Sequence, residues 1–150
     1  MFREYYKSPL GYLGIVADDD SILGVEFVTK SKNNKSNALT KKCVVQLKQY
    51  FAGKRKVFDL PLGIDGTGWQ KKVWQNLLKV SFGNTISYGE LAKLAANPRG
   101  ARAVGGAVNK NKIPIIIPCH RVVGSTGKMV GYEGGLWRKE KLLKLEGLTI

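Results

Sequence analysis

Apolar residues in the first thirty positions come in short runs broken by polar turns. Phe2 to Lys7 is an aromatic-rich stretch closed by Ser8-Pro9. Leu13 to Ala17 and Ile22 to Val28 flank the polar turn Asp18-Asp19-Asp20-Ser21. Two apolar runs around a short turn predict a hairpin, with the first run as a third strand. Lys30 to Asn37 is polar and reads as a mobile loop. The spacing then lengthens. Leu39, Cys43, Val44, Leu47, Tyr50 and Phe51 recur at helical intervals and predict a helix over 38–52, stopped by Gly53. Cys43 lies on that apolar stripe and reads as core packing.

Lys54 to Gly66 carries the breakers Pro61, Gly63 and Gly66, with a short extended piece over 57–60. It reads as a link, which divides the chain into lobes 1–60 and 61–150. Thr67 caps a further helix whose stripe is Trp69, Val73, Trp74, Leu77 and Leu78. Ser87-Tyr88-Gly89-Glu90 fits a capping box and opens a helix to about Ala96. Asn97-Pro98 reads as the cap and first position of a second helix over 99–108. Two short helices tightly joined are a helix-turn-helix candidate. Gly100, Gly105 and Gly106 would each weaken that helix by about 1 kcal/mol relative to Ala. Small residues there suit close approach, either to another helix or to a nucleic-acid groove. Five glycines over 124–135 predict a loop, and a final helix covers 136–145.

Charge narrows the choice of partner. The 150 residues hold 25 Lys and Arg against 11 Asp and Glu, a net charge of +14. The first 60 residues carry 11 basic and 6 acidic groups, the remainder 14 and 5. An excess leaning toward the second lobe favours a polyanion, most often nucleic acid, over a merely solvated basic surface. No apolar run approaches the roughly 20 residues of a membrane span. The first residues lack the apolar core of a signal peptide, so the expected location is cytoplasmic. Two cysteines and one histidine are too few for a disulfide framework or a structural zinc site.

The chemistry concentrates in Pro118-Cys119-His120-Arg121-Val122, after the apolar run Ile115-Ile116-Ile117. A thiolate supported by an adjacent base or positive charge is a nucleophile. In a regular strand Cys119 and His120 would face opposite ways. Pro118 predicts a strand ending near Ile117 and a turn that brings thiol and imidazole together.

Several strings together carry a resemblance. They are Ile86-Ser87-Tyr88, Asn97-Pro98-Arg99, the run from Ala101 to Ala107, Pro114 to Val122, Gly131-Tyr132, Gly134-Gly135-Leu136 and Leu142 to Gly147. The chain resembles the O6-alkylguanine-DNA alkyltransferases, over nearly its whole length and most strongly from Gly66 to Gly147. The resemblance implies an α/β N-terminal lobe, a small antiparallel sheet plus helix of ribonuclease H-like form. A mainly α C-terminal lobe follows, with a winged-helix-like helix-turn-helix. It implies direct-reversal repair: a base flipped from double-stranded DNA gives its O6-alkyl group to a cysteine, once, without a cofactor, by a monomer.

Carried over by position, Cys119 is the acceptor, His120 the base acting through a water, Glu146 its orienter, and Asn111 the brace of the turn. Tyr88, Arg99, Arg102, Ala103 and Arg121 would meet DNA, with Arg102 filling the gap left by the extruded base in the minor groove. Pro114, Val122, Tyr132, Glu133 and Gly134 would line the base pocket. Glu133 departs from the Ser of many relatives and puts inhibitor access in question. The cysteine and histidine set that binds zinc in some relatives is missing, so no metal is expected. A cysteine hydrolase acting repeatedly on small amides or esters is the competing class.

Overall fold

The computed structural model describes residues 1–149. They form two compact units, Met1–Asp65 and the part from Gly66 onward. In the first, β1 (Phe2–Ser8), β2 (Gly11–Ala17) and β3 (Ile22–Val28) make an antiparallel meander. The register runs from Phe2 opposite Ala17 to Ser8 opposite Gly11, and from Tyr12 opposite Val28 to Ala17 opposite Ile22. Gly11, at φ 98°, makes the first turn, which Ser8 closes by donating to the Gly11 carbonyl at 2.7 Å. Helix α1 (Ala38–Phe51) packs on the sheet and buries Thr40, Cys43, Val44, Gln46, Leu47 and Tyr50. Cys43 is therefore core, as its place on the stripe predicts.

Two expectations change in this unit. The polar loop over 30–37 is tied down rather than loose. Arg3 and Lys35 exchange backbone hydrogen bonds at 2.8 and 2.9 Å, and Asn34 accepts from the Tyr5 N–H. Asn37 then caps α1 reciprocally with Thr40, a cap hidden by the reading of 30–37 as loop. The segment after Leu60 also belongs here. Ile22 donates to the Pro61 carbonyl and Gly63 donates to that of Ile22, both at 2.8 Å. Gln46 holds both backbone groups of Asp59 with its side-chain amide.

The second unit is mainly helical. Its elements are α2 (Gly68–Leu77), β4 (Ile86–Ser87), α3 (Tyr88–Leu94), α4 (Ala101–Asn109), β5 (Val122–Val123) and α5 (Leu136–Leu145). Thr67 and Ser87 close the two capping boxes. On α2 the buried positions are Val73, Trp74 and Leu77, whereas Leu78 is exposed beyond the last turn. Trp69 and Trp74 donate their indole N–H groups to the carbonyls of Ala103 and Ala107, at 3.2 and 2.8 Å. One turn separates those carbonyls, so α2 grips one face of α4, where Val104, Ala107 and Val108 are buried. The opposite face, with Arg102 and Gly106, is exposed, as is the side chain of Ala103 at its margin.

Helix α4 begins later than Asn97-Pro98 suggests. Gly100 is its N-cap, and Asn97 to Gly100 form a turn closed by Gly100 donating to the Asn97 carbonyl at 2.8 Å. A Cβ on Gly100 would stand 2.4 Å from Asn97 Nδ2 and 3.0 Å from the Asn97 carbonyl oxygen. Gly100 is thus a turn residue and costs the helix interior nothing.

Candidate active site

The run Ile115-Ile116-Ile117 is not a strand, against expectation. Residues 113–118 are a buried irregular turn. Ile117 donates to the Ile113 carbonyl at 2.9 Å, and Ile115 is held at φ 74°. That conformation is strained for a β-branched residue, by about 1–3 kcal/mol. Asn111 stabilises it from within. Its Nδ2 donates to the Ile117 carbonyl and its Oδ1 accepts from the Ile113 N–H, both at 2.9 Å. An apolar run gave no sign of this, because a side-chain amide supplies the bonds that a sheet partner would.

Pro118 leads into a single 3-10 turn, Cys119–Arg121, which enters β5. β5 pairs in parallel with β4, Ile86 beside Val122 and Ser87 beside Val123. That short pairing joins the Cys-His-Arg turn to the cap of α3. Tyr88, the first residue of α3, is thereby held close enough to Cys119 for burial and the sulfur's charge to push its phenol pKa up.

His120 is fully buried. Its Nε2 lies 2.7 Å from Glu146 Oε2. Since a carboxylate only accepts, Nε2 carries the hydrogen. Nδ1 is buried and has no hydrogen-bond partner among the described residues. Burial lowers the imidazole's proton affinity, while Glu146 opposes that shift. His120 is therefore a neutral imidazole with its hydrogen on Nε2 and Nδ1 as an acceptor.

The sulfur differs from expectation. Cys119 is 6% exposed, and burial raises its thiol pKa to about 11. The resting group is a thiol, not a thiolate, because desolvation outweighs the stabilising groups. Those groups are the polar side chains of Asn111 and Tyr132 and the positive charge of Lys139, each of which lowers the pKa. An anion must form as the proton leaves for a base.

Arg121 also departs from its predicted place. It does not face DNA but is buried, with Nε and Nη2 donating to the two oxygens of Glu146 at 2.8 and 3.0 Å. Its Nη1 donates to the Val80 carbonyl at 2.6 Å. A guanidinium fork fits a carboxylate in this planar way, which removes it from any surface role.

Lys139 is a buried residue near Cys119 that sequence reasoning missed. Within Trp-Arg-Lys-Glu-Lys it resembles any surface lysine. In the fold its side chain is fully buried, and Nζ donates to the carbonyls of Val130 and Gly131 at 2.9 and 3.0 Å. Burial lowers its pKa to about 8, with the Cys119 charge acting in opposition. Its spacing on the α5 stripe, three residues before Leu142, was the available signal.

The remaining predicted residues divide by exposure. Pro114, Val122 and Gly134 are buried, Tyr132 is half-buried and Glu133 is exposed. Tyr88 donates its hydroxyl to the Val130 carbonyl at 3.3 Å, the same oxygen that Lys139 holds. Arg99, Arg102 and Ala103 are exposed. Among the described residues no group of three or more His, Cys, Asp or Glu could hold a metal ion. No described helix is long and apolar enough to cross a membrane.

A buried thiol next in sequence to a carboxylate-held imidazole, in a unit that exposes Arg99 and Arg102, fits a class of protein that works through covalent capture on cysteine. Comparison with known proteins narrows that class. Residues 1–64 match the family model described as 6-O-methylguanine DNA methyltransferase, ribonuclease-like domain. Residues 68–148 match that of the DNA binding domain of the same enzyme. The chain belongs to the 6-O-methylguanine DNA methyltransferase family. It is 42% identical to a methylated-DNA–protein-cysteine methyltransferase of Methanosarcina acetivorans, over 98% of this chain and 99% of that one. A protein of the same name from Mycobacterium leprae is 41% identical, covering 93% and 88%. The crystal structure of Mycobacterium tuberculosis OGT in complex with DNA aligns with a TM-score of 0.88 at 39% identity, covering 95% of this chain and 90% of that one.

Proposed function

We propose that this protein repairs DNA by moving an alkyl group from O6 of guanine to its own Cys119, once per molecule. The observation that carries the reading is the 3-10 turn placing Cys119 beside His120, whose Nε2 is held by Glu146 and whose Nδ1 is open. The thiol proton passes through a water to Nδ1. The sulfur attacks the alkyl carbon in line, the S–C bond forms and the C–O6 bond breaks. The electron pair stays with the purine, which leaves as repaired guanine after taking up a proton. An S-alkylcysteine is a stable thioether, so nothing regenerates the thiol.

The unit from Gly66 onward binds double-stranded DNA carrying the lesion, and Met1–Asp65 has a supporting role. The exposed face of α4 enters the minor groove. Arg102 stacks into the gap left by the flipped base, and Arg99 meets phosphate. Tyr88 meets the flipped nucleotide. Pro114 and Tyr132 form apolar walls, with the backbone of Cys119, Val122, Glu133 and Gly134 reading the purine edge. The protein acts as a cytoplasmic monomer. In this reading Asn111 supports catalysis by holding the turn before Cys119.

The test mixes the protein with excess duplex containing O6-methylguanine. One transfer per molecule is expected, with one added CH2 on the peptide holding Cys119 and none in Cys119→Ser. Repeated turnover with Cys119 unmodified would replace this reading with the hydrolase.

A further inference from the structure

The motif arginine has a partner that the proposed reaction does not explain. Glu146 accepts from four donors. Oε1 takes Arg121 Nε at 2.8 Å and the Gly83 N–H at 3.3 Å. Oε2 takes Arg121 Nη2 at 3.0 Å and His120 Nε2 at 2.7 Å. An ionised carboxylate offers about four acceptor sites, and these donors engage both of its oxygens. The carboxylate cannot rotate toward His120 or away from it without losing the fork. Arg121 itself is anchored by Nη1 on the Val80 carbonyl at 2.6 Å.

We propose that Arg121 is a positioning residue for the transfer, acting on His120 through Glu146. Its fork fixes the carboxylate as the acceptor of Nε2–H, which leaves Nδ1 bare toward the thiol proton. It also shares the carboxylate's charge, so the imidazole stays neutral until that proton arrives. Without the fork, Glu146 would be a lone buried carboxylate against His120 and would draw a proton onto the ring beforehand. A ring already charged cannot accept from the thiol.

The groups facing the imidazole pull in two directions, and the sum lowers its proton affinity. Glu146, following α5, favours the charged ring. Arg121 beside it and Lys139 from α5 oppose that, as does burial. The turn after α2 contributes the Val80 carbonyl and Gly83 N–H through Arg121 and Glu146. The proposal rests on the repair reading for the identity of the proton donor, but its test does not need substrate.

His120 is the single histidine of the chain, so its ring nitrogens are unambiguous in a 15N NMR titration. Wild-type protein at pH 7 should show a neutral ring with hydrogen on Nε2 and a bare Nδ1. In Arg121→Gln the titration midpoint should rise by roughly one to three pH units. Alkyl transfer at pH 7 should fall roughly 10- to 100-fold and recover as pH is raised through the new midpoint. Arg121→Lys should restore part of both. A wild-type ring found charged, or carrying its hydrogen on Nδ1, overturns the proposal even if no variant folds. So does an unshifted midpoint in folded Arg121→Gln. A protein that meets the NMR expectations but transfers no alkyl group keeps this tautomer assignment and loses the repair reading instead.

Discussion

Lys139 donates to the carbonyl of Gly131 at 3.0 Å from a fully buried position. The contact joins α5 to the glycine loop that carries Tyr132. A buried ammonium near the sulfur offsets charge as the thiolate forms. Replacing Lys139 with Met should slow transfer roughly tenfold. Stability gives a second readout. The folded pKa, about 8, lies below the unfolded value of 10.5, so the native state binds fewer protons between them. Its burial penalty is complete below pH 8 and fades toward pH 10.5. Urea unfolding should therefore show wild type gaining relative to Lys139→Met between pH 7 and pH 9.5. A difference independent of pH would contradict the buried charge.

Arg102 stands on the exposed face of α4, opposite the face held by Trp69 and Trp74. Arg102→Ala should leave folding intact and cut transfer from a duplex lesion by roughly tenfold or more, about 1.4 kcal/mol of transition-state stabilisation. Reaction with a free O6-alkylguanine base should hardly change. Equal losses on the two substrates, measured as single-turnover rates, would remove the gap-filling role.

Asn111 replaces a sheet partner for the turn before Cys119. Asn111→Ala strands the Ile113 N–H in the core and leaves the Ile117 carbonyl with the Cys119 N–H in place of two donors. The expected cost is roughly 1–3 kcal/mol in urea unfolding at pH 7. Transfer should fall further than the folded fraction does, because the strained Ile115 relaxes and the sulfur moves. A rate that tracks folded protein alone would assign Asn111 to stability only.

Gly100 allows the tight turn into α4. In Gly100→Ala the new methyl meets both the side chain and the backbone of Asn97. Calorimetry should show a loss of roughly 1–3 kcal/mol, as for other overpacked positions. Binding to undamaged duplex should weaken as well, since the turn aims α4. An unchanged melting temperature would mean that Asn97 gives way freely.

Capping and periodicity were legible before any fold was known. Ser87 with Glu90, Thr67 with Gln70 and the stripe of α1 are local, and local bonds leave local patterns. The family strings marked Cys119, His120, Glu146 and Asn111 together. Less legible were two-residue pairings and side chains that replace strands. The β4–β5 ladder joins residues 36 apart through two pairs, too short to leave an alternation.

By itself the sequence determined most of the helices and the first three strands, the basic balance, and the adjacency of thiol, imidazole and guanidinium. Tertiary structure alone decided what each of those groups is at rest. Burial keeps the Cys119 sulfur protonated, Glu146 orients His120 and takes Arg121 away from the surface, and α5 carries Lys139 inward. The reason is that protonation and partnership depend on desolvation and on contacts between distant residues, which the order of residues does not display.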